Sequence, residues 1–251
     1  MTRAPEMGRY KIILAYDGTR FVGSQRQRDS RTVQGELEKA LRKIGWTGQT
    51  ITLAGRTDTG VHAIAQVAAC DLEWDHGLEP LERALNANLP RDMAVNAVEL
   101  AVDSYHPRFD ASSRRYRYRL FCGALRDPLR ERYAWRVWPA VGDLVPLAAI
   151  WPGTHDFSAF GTPPRPGGST VRTVLATEWH QSGDEWIFEI QADAFLYRMV
   201  RRLVFVQVAV GQERLSFEQL TQALENRSKL KAGLAPPNGL TLVEVCYDNP
   251  I

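Results

Sequence analysis

Residues 51–72 read ITLAGRTDTGVHAIAQVAACDL, and the reading of this stretch decides the fold. Residues 51–54 form a short apolar run and 63–72 a longer one, the lengths expected of two strands. Between them Gly55 to His62 is polar, with glycines that permit tight turns and close backbone approach. Two consecutive strands are thus joined by one loop. Upstream, residues 10–15 read as a strand closed by the turn signal Asp17-Gly18. Val33, Leu37, Ala40, Leu41 and Ile44 then recur at helical spacing behind Thr32, a capping residue. Downstream, 78–88 reads as a helix and 94–100 as a strand. The order is β-α-β-β-α-β, the split-βαβ plan.

The second half repeats that order. Residues 114–122 alternate arginine with tyrosine, like a strand with one wet face. Residues 143–151 read as helix, and 171–180 and 185–192 as a hairpin around Ser182-Gly183-Asp184. The stretch 195–211 reads as a long helix with an apolar stripe of Leu196, Met199, Val200, Leu203, Val204, Gln207 and Val208. A further helix at 217–226 and a last strand at 242–247 follow. The pattern predicts an α+β fold of two ferredoxin-like (βαββαβ) subdomains with mainly antiparallel sheets. The expected division is 1–104 and 105–251, joined near Asp103 to Pro107. The proline-rich stretches at 163–168 and 236–239 read as loops of the second half.

Composition narrows the function classes. A chain of 251 residues, 44% hydrophobic and 24% charged, is an ordinary globular protein. It can bury roughly 70–75% of its unfolded surface, so its stability requires neither metal nor disulfide. The apolar run at 203–210 is short and already broken by Gln207, so no membrane span is expected. The opening MTRAPEMGRYKIILAY lacks a cleavage site after its apolar stretch, so no leader is expected. Cys70, Cys122 and Cys246 are odd in number and far apart, which suits a reducing cytoplasm.

Net charge is only +2, but 26 of the 31 cations are arginine. Nine of them lie between Arg108 and Arg136, against Asp110, Asp127 and Glu131 alone. Arginine's planar fork suits phosphate, and a clustered basic stripe is the usual footprint of nucleic-acid binding. Arg126, Arg130 and Arg132 are the candidates to track a phosphate backbone. Tyr116, Tyr118, Phe121 and Tyr133 in the same stretch are rings on which bases could stack. A solvated basic face, or a genome rich in arginine codons, would give the same composition.

The loop Gly55 to His62 sets a cation, a hydroxyl and a carboxylate directly after a strand. A turn in which Asp58 bonds its own backbone needs no more than this. An aspartic protease would need a second such loop or a symmetric dimer, and Arg56 beside the acid opposes a shared proton. A metal-dependent nuclease could use Asp17, Asp58, His62 and His106, but their spacing matches no metal-ligand motif. An RNA-binding module without catalysis fits the sheets and the exposed aromatics.

The segment GRTDTGVHA, residues 55–63, resembles the catalytic loop of the TruA family of tRNA pseudouridine synthases. The resemblance runs nearly end to end. It takes in YDGT with Phe21, Gly23 and Gln25-Arg26-Gln27, TVQGELEKAL, NANLP from Asn86 and RRYRYRL from Arg114. It continues through HDFSAF from His155, AFLYRMVR from Ala194 and GLTLVEVCY near the end. It implies the pseudouridine synthase fold, with a basic active-site cleft flanked by the two sheets. It makes Asp58 the nucleophile, and Tyr116 the aromatic packed on the target uracil and the candidate base for its C5 proton. Arg201 would pair with Asp58, and Arg56 would fill the space left by the flipped base. Further RNA contacts would fall on Gln25, Arg26, Gln27, His62 and Arg114. The implied substrate is uridine at positions 38–40 of the tRNA anticodon stem-loop, the implied assembly a homodimer, and no metal or cofactor is required. Four positions depart from the pattern: Ser24 replaces a tryptophan, Thr59 an alanine, and Arg202 and Phe205 an asparagine and a glycine.

Overall fold

The computed structural model describes residues 7–228, 230 and 233–248; part of the opening segment, with Lys229 and Lys231, lies outside them. In chain order the elements are β1 (Met7–Tyr16), α1 (Val33–Lys43), β2 (Thr52–Leu53), β3 (His62–Glu73), α2 (Leu78–Asn88) and β4 (Met93–Ala101). They continue with β5 (Ala111–Cys122), β6 (Trp135–Val137), α3 (Val145–Ala148), β7 (Gly153–Asp156) and β8 (Val171–Ser182). The last are β9 (Glu185–Ala192), α4 (Met199–Gly211), α5 (Phe217–Asn226) and β10 (Leu240–Tyr247). The fold is α+β with mostly antiparallel strands. The chain forms two compact units, Met1–Ser112 with Leu242–Ile251, and Ser113–Thr241. No helix among the described residues is long and apolar enough to cross a membrane.

In the first unit β1 runs antiparallel between β4 and β3, and β3 also carries the two-residue β2 and the late strand β10. Period-two alternation turns Tyr10, Ile12, Leu14 and Tyr16 of β1 inward. Ile12 and Leu14 each contribute roughly 1.5–3 kcal/mol by leaving water. Helix α1 starts where Thr32 accepts the Gly35 amide (3.2 Å). It buries Val33, Leu37 and Leu41, but also the polar Gln34 and Glu38. Glu38 accepts from the Ile51 amide (3.2 Å), from Gln34 (2.9 Å) and from Arg26 (2.7 Å), so a buried carboxylate ties α1 to the approach to β2.

β10 returns to the first unit from late in the chain. Its Tyr247 packs on the cluster of Ala69, Ala101 and Tyr105 and donates to the Pro107 carbonyl (2.8 Å). Compact units therefore divide after Ser112 and again after Thr241, whereas a sequence reading places one join near residues 103–107. The contacts of Tyr247 with residues 69–107 make the difference.

In the second unit β5, β9, β8 and β7 lie side by side, antiparallel, and β6 adds to β5 in parallel. Strands β6 and β7 escaped the sequence reading because three or four residues are too few to establish a period. Helix α3 is shorter than the expected 143–151. Helix α4 begins at Met199, not at 195. Residues before it are diverted because Tyr197 and Thr162 exchange backbone hydrogen bonds (2.9 and 3.4 Å), and Arg198 takes a left-handed conformation (φ 65°).

Gln207, which interrupts the apolar stripe of α4, is fully buried. Its amide oxygen accepts from the Trp179 indole (2.8 Å) on β8, and its nitrogen donates to the Leu203 carbonyl (3.0 Å). Gln207→Leu would strand the indole N–H, and should destabilise by about 1–3 kcal/mol in urea unfolding. An unchanged midpoint would mean the indole finds another acceptor.

Candidate active site

The residues of the Asp58 loop belong to the first unit. Asp58 is half-buried, Arg56 exposed and Thr57 buried between them. The Thr57 amide donates to Ser24 Oγ (2.8 Å), and the Ser24 amide donates to the Thr57 carbonyl (3.1 Å). The Thr57 hydroxyl meets the Tyr16 hydroxyl at 2.8 Å. Gln66, on β3, donates to the Gly55 carbonyl (3.1 Å) and, at a long 3.5 Å, to Tyr16 Oη. Either hydroxyl of the Tyr16–Thr57 pair can be the donor. Burial pushes the Tyr16 hydroxyl up from its ordinary range against the pull of Thr57 and Gln66, so it stays protonated.

The segment before α1 braces the same loop. Gly18 lies under it: its amide donates to His62 Nδ1 (3.0 Å), and a Cβ there would sit 2.0 Å from the Val61 carbonyl oxygen. Asp17-Gly18 is thus more than a turn signal. Asp17 accepts the Thr19 amide (3.0 Å) and lies 3.3 Å from His62 Nδ1, while the glycine admits the neighbouring backbone. Arg31 grips Asp92 through two bonds of 2.7 Å and lies 4.2 Å from the Phe21 ring centroid. Hydrogen bonding to Arg31 holds the Asp92 carboxyl below its usual range.

Other residues expected to touch RNA vary in how they are disposed. His62 is buried and engaged with Gly18. Arg26 turns its guanidinium to Glu38 and to the Gln49 carbonyl (3.2 Å). Gln25 is exposed, and Gln27, also exposed, donates to the Val22 carbonyl (2.9 Å). His106 caps its own turn, accepting the Arg108 and Phe109 amides at 3.2 Å each. Among the described residues no three His, Cys, Asp or Glu side chains gather as metal ligands.

The second unit holds Tyr116 and Arg201. Tyr116 points to the dry face of β5, 8% exposed, with the Phe195 ring edge-on at 5.1 Å. Arg201, in the first turns of α4, is equally buried; its Nε donates to the Ala235 carbonyl (2.8 Å), and the Ala235 amide returns to the Arg201 carbonyl (3.3 Å). The next residue is held too: Tyr118 donates to the Pro236 carbonyl (2.8 Å), and burial raises its hydroxyl well above the ordinary range, eased by the charge of Arg201. Gly239 lets that loop close over the ring, since a Cβ there would lie 2.6 Å from Tyr118 Cζ. Phe205, where a glycine was expected, stacks on Trp135 (6.2 Å, 11°) and is received by Gly233, whose Cβ would lie 2.6 Å from Phe205 Cζ.

The arginine-rich stretch divides by strand face. Arg115, Arg117 and Arg119 share the face of β5 opposite Tyr116 and Tyr118, and meet carboxylates from β9. Arg117 pairs with Glu189 (2.6 Å), and Arg119 with Glu185. Arg126 pairs with Glu131 (3.0 Å), and Arg130 with Asp184 through two bonds of 2.8 and 3.0 Å. Arg132 is exposed beside the Tyr133 ring, and Arg114 donates to the Asp193 carbonyl (2.9 Å). Sequence reasoning missed Tyr16, Gln66 and the loop at 235–239. Gln66 left one signal, a lone amide inside an apolar run.

Residues 12–110 and 147–248 match the family described as tRNA pseudouridine synthase. The chain is 42% identical to tRNA pseudouridine synthase A of Chloroflexus aurantiacus, over 94% of this chain and 87% of that one. It is 38% identical to the protein of the same name from Limosilactobacillus fermentum, over 97% and 98% of the two chains. Its counterpart from Streptococcus equi subsp. equi is also 38% identical, over 96% and 100%.

Gly18→Ala would drive a methyl into the Val61 carbonyl. It should lower stability by about 1–3 kcal/mol in denaturant unfolding, the usual cost of forcing atoms into a packed site. Parent-like stability would show that the loop yields without strain.

Proposed function

The chain belongs to the tRNA pseudouridine synthase family, and from that premise we propose that Asp58 is the nucleophile and uridine at positions 38–40 of the anticodon stem-loop the target. The family membership makes it an isomerase that converts uridine to pseudouridine in tRNA. What supports the assignment within this chain is the loop: a half-buried carboxylate beside a residue anchored at amide, carbonyl and hydroxyl, with an exposed arginine on the other side.

The reaction exchanges one bond to the sugar for another. The target base leaves its stack, at a cost of a few kcal/mol, and Arg56 takes the vacated space. The Asp58 carboxylate attacks the ring or the sugar, and the bond from N1 to C1′ breaks. The ring turns, C5 bonds to C1′, the bond to Asp58 breaks and returns the free carboxylate, and the C5 proton departs while N1 gains one. No electrons are lost or gained. Arg201 is the counter-charge that pairs with the Asp58 carboxylate. Its fixed link to Ala235 suits a guanidinium that must hold one orientation. Tyr116 receives the uracil on its ring, and its phenol oxygen takes the C5 proton as its own proton passes to water, which supplies the proton gained at N1.

The enzyme works as a homodimer in the cytoplasm, on tRNA held in a basic groove. Arg114, Arg126, Arg130 and Arg132 hold phosphate, with Gln25, Arg26, Gln27 and His62 framing the approach to the loop. Phosphate must displace Glu131 and Asp184 from Arg126 and Arg130, which sets these contacts apart from bare cations.

Asp58→Ala should abolish pseudouridine formation while tRNA affinity stays within about twofold, because it removes the nucleophile and no phosphate contact. Turnover by this variant would eliminate the mechanism, and an intact protein that binds but modifies no tRNA would leave a binding module.

Removing Arg126, Arg130 and Arg132 together should flatten the log–log salt dependence of tRNA binding by up to about three units, at ~0.9 per duplex phosphate contact. An unchanged slope would place the RNA on another surface.

A further inference from the structure

We propose that Ser24 is a positioning residue, which fixes the Asp58 carboxylate for attack by clamping the residue before it. This rests on Asp58 being the nucleophile. Ser24 is fully buried, and each of its polar groups has a defined partner. Its hydroxyl oxygen accepts the Thr57 amide (2.8 Å), and its amide donates to the Thr57 carbonyl (3.1 Å). Its own carbonyl accepts the Gln34 amide (2.9 Å), one of the first-turn donors that α1 cannot satisfy internally. Ser24 therefore ties the catalytic loop to the rigid start of a helix.

The geometry leaves little freedom next to Asp58. Thr57 is held on three sides, by Ser24 at both backbone groups and by Tyr16 at its hydroxyl. Gly23 delivers Ser24 to the loop in a left-handed conformation (φ 76°) that favours glycine, and a Cβ there would stand a tight 3.0 Å from the Thr57 carbonyl oxygen. The Asp58 carbonyl in turn accepts the Val61 amide (3.1 Å), so the nucleophile sits between two fixed points. A tryptophan, the residue of the family pattern at this position, has an indole that donates but cannot accept. The side-chain bond to the Thr57 amide thus belongs to the serine.

The test compares Ser24→Ala with the parent chain and with Val98→Ala, a buried substitution on β4 that serves as a control for general destabilisation. Ser24→Ala should lower kcat for pseudouridine formation by about 10–100-fold, the scale on which small misplacements of reacting groups act. The Kd for tRNA should stay within about twofold, because no RNA contact is removed. Amide exchange at Thr57 should quicken by about fivefold or more, as expected from the loss of one hydrogen bond. Val98→Ala should change neither kcat nor Thr57 exchange. Should Ser24→Ala fail to fold, Ser24→Cys keeps the size with a weaker acceptor and should fall between parent and alanine in kcat. An active parent matched in kcat by the serine variants overturns the role of Ser24 alone. So does a loss confined to Kd, or one equalled by Val98→Ala. A parent that forms no pseudouridine overturns the reading of Asp58 as well.

Discussion

The hydrogen bonds of Thr57 to Ser24 and to Tyr16 join three parts of the first unit: the start of α1, the loop before β3 and the end of β1. A buried peptide group left unpaired costs about as much as a lost hydrogen bond, so partners must be supplied where the loop enters the interior. Ser24 supplies them for Thr57, Gln66 for Gly55 and Gly18 an approach for Val61. The outcome is a loop whose backbone is fixed from inside while Arg56 and Thr59 face outward. On the role proposed for Asp58 such support matters, because misplacement of a reacting group by an ångström costs orders of magnitude in rate.

The second unit solves a similar problem with a different device. A buried arginine must be oriented and its donors satisfied, and Arg201 is gripped through Ala235 at both its Nε and its carbonyl. Tyr118 holds the following residue, Pro236, and Gly239 lets the loop approach the ring closely. The loop at 235–239 is therefore part of the machinery around Arg201, although its composition suggests only a turn.

Charge counts along the chain and charge in space are different quantities here. Six net positive charges between Arg108 and Arg136 describe a stretch of sequence. In the fold, Glu185 and Glu189 of β9 and Asp184 of the turn before it come to lie against Arg117, Arg119 and Arg130. Antiparallel pairing of β5 with β9 sets Arg117 opposite Glu189. Half-exposed pairs of this kind add little to stability. They do alter the competition a phosphate meets.

The sequence by itself determined the local elements: period and a cap sufficed for α1 behind Thr32, pattern alone for α2 and α5 over their observed ranges, and alternation for the faces of β5. It also determined the family, since motifs in order from YDGT to GLTLVEVCY are independent of any contact. Tertiary structure alone decided what pairs with what. The return of β10 to the first unit, the diversion of Tyr197 by Thr162, and the clamp of Ser24 on Thr57 all join residues 33 or more positions apart. No local propensity encodes such pairings, because they exist only once the chain has closed and each buried polar group has found its partner. Gln207 marks the boundary between the two kinds of information. A polar residue in an apolar stripe is visible in the sequence, but the indole that explains it is visible only in the fold.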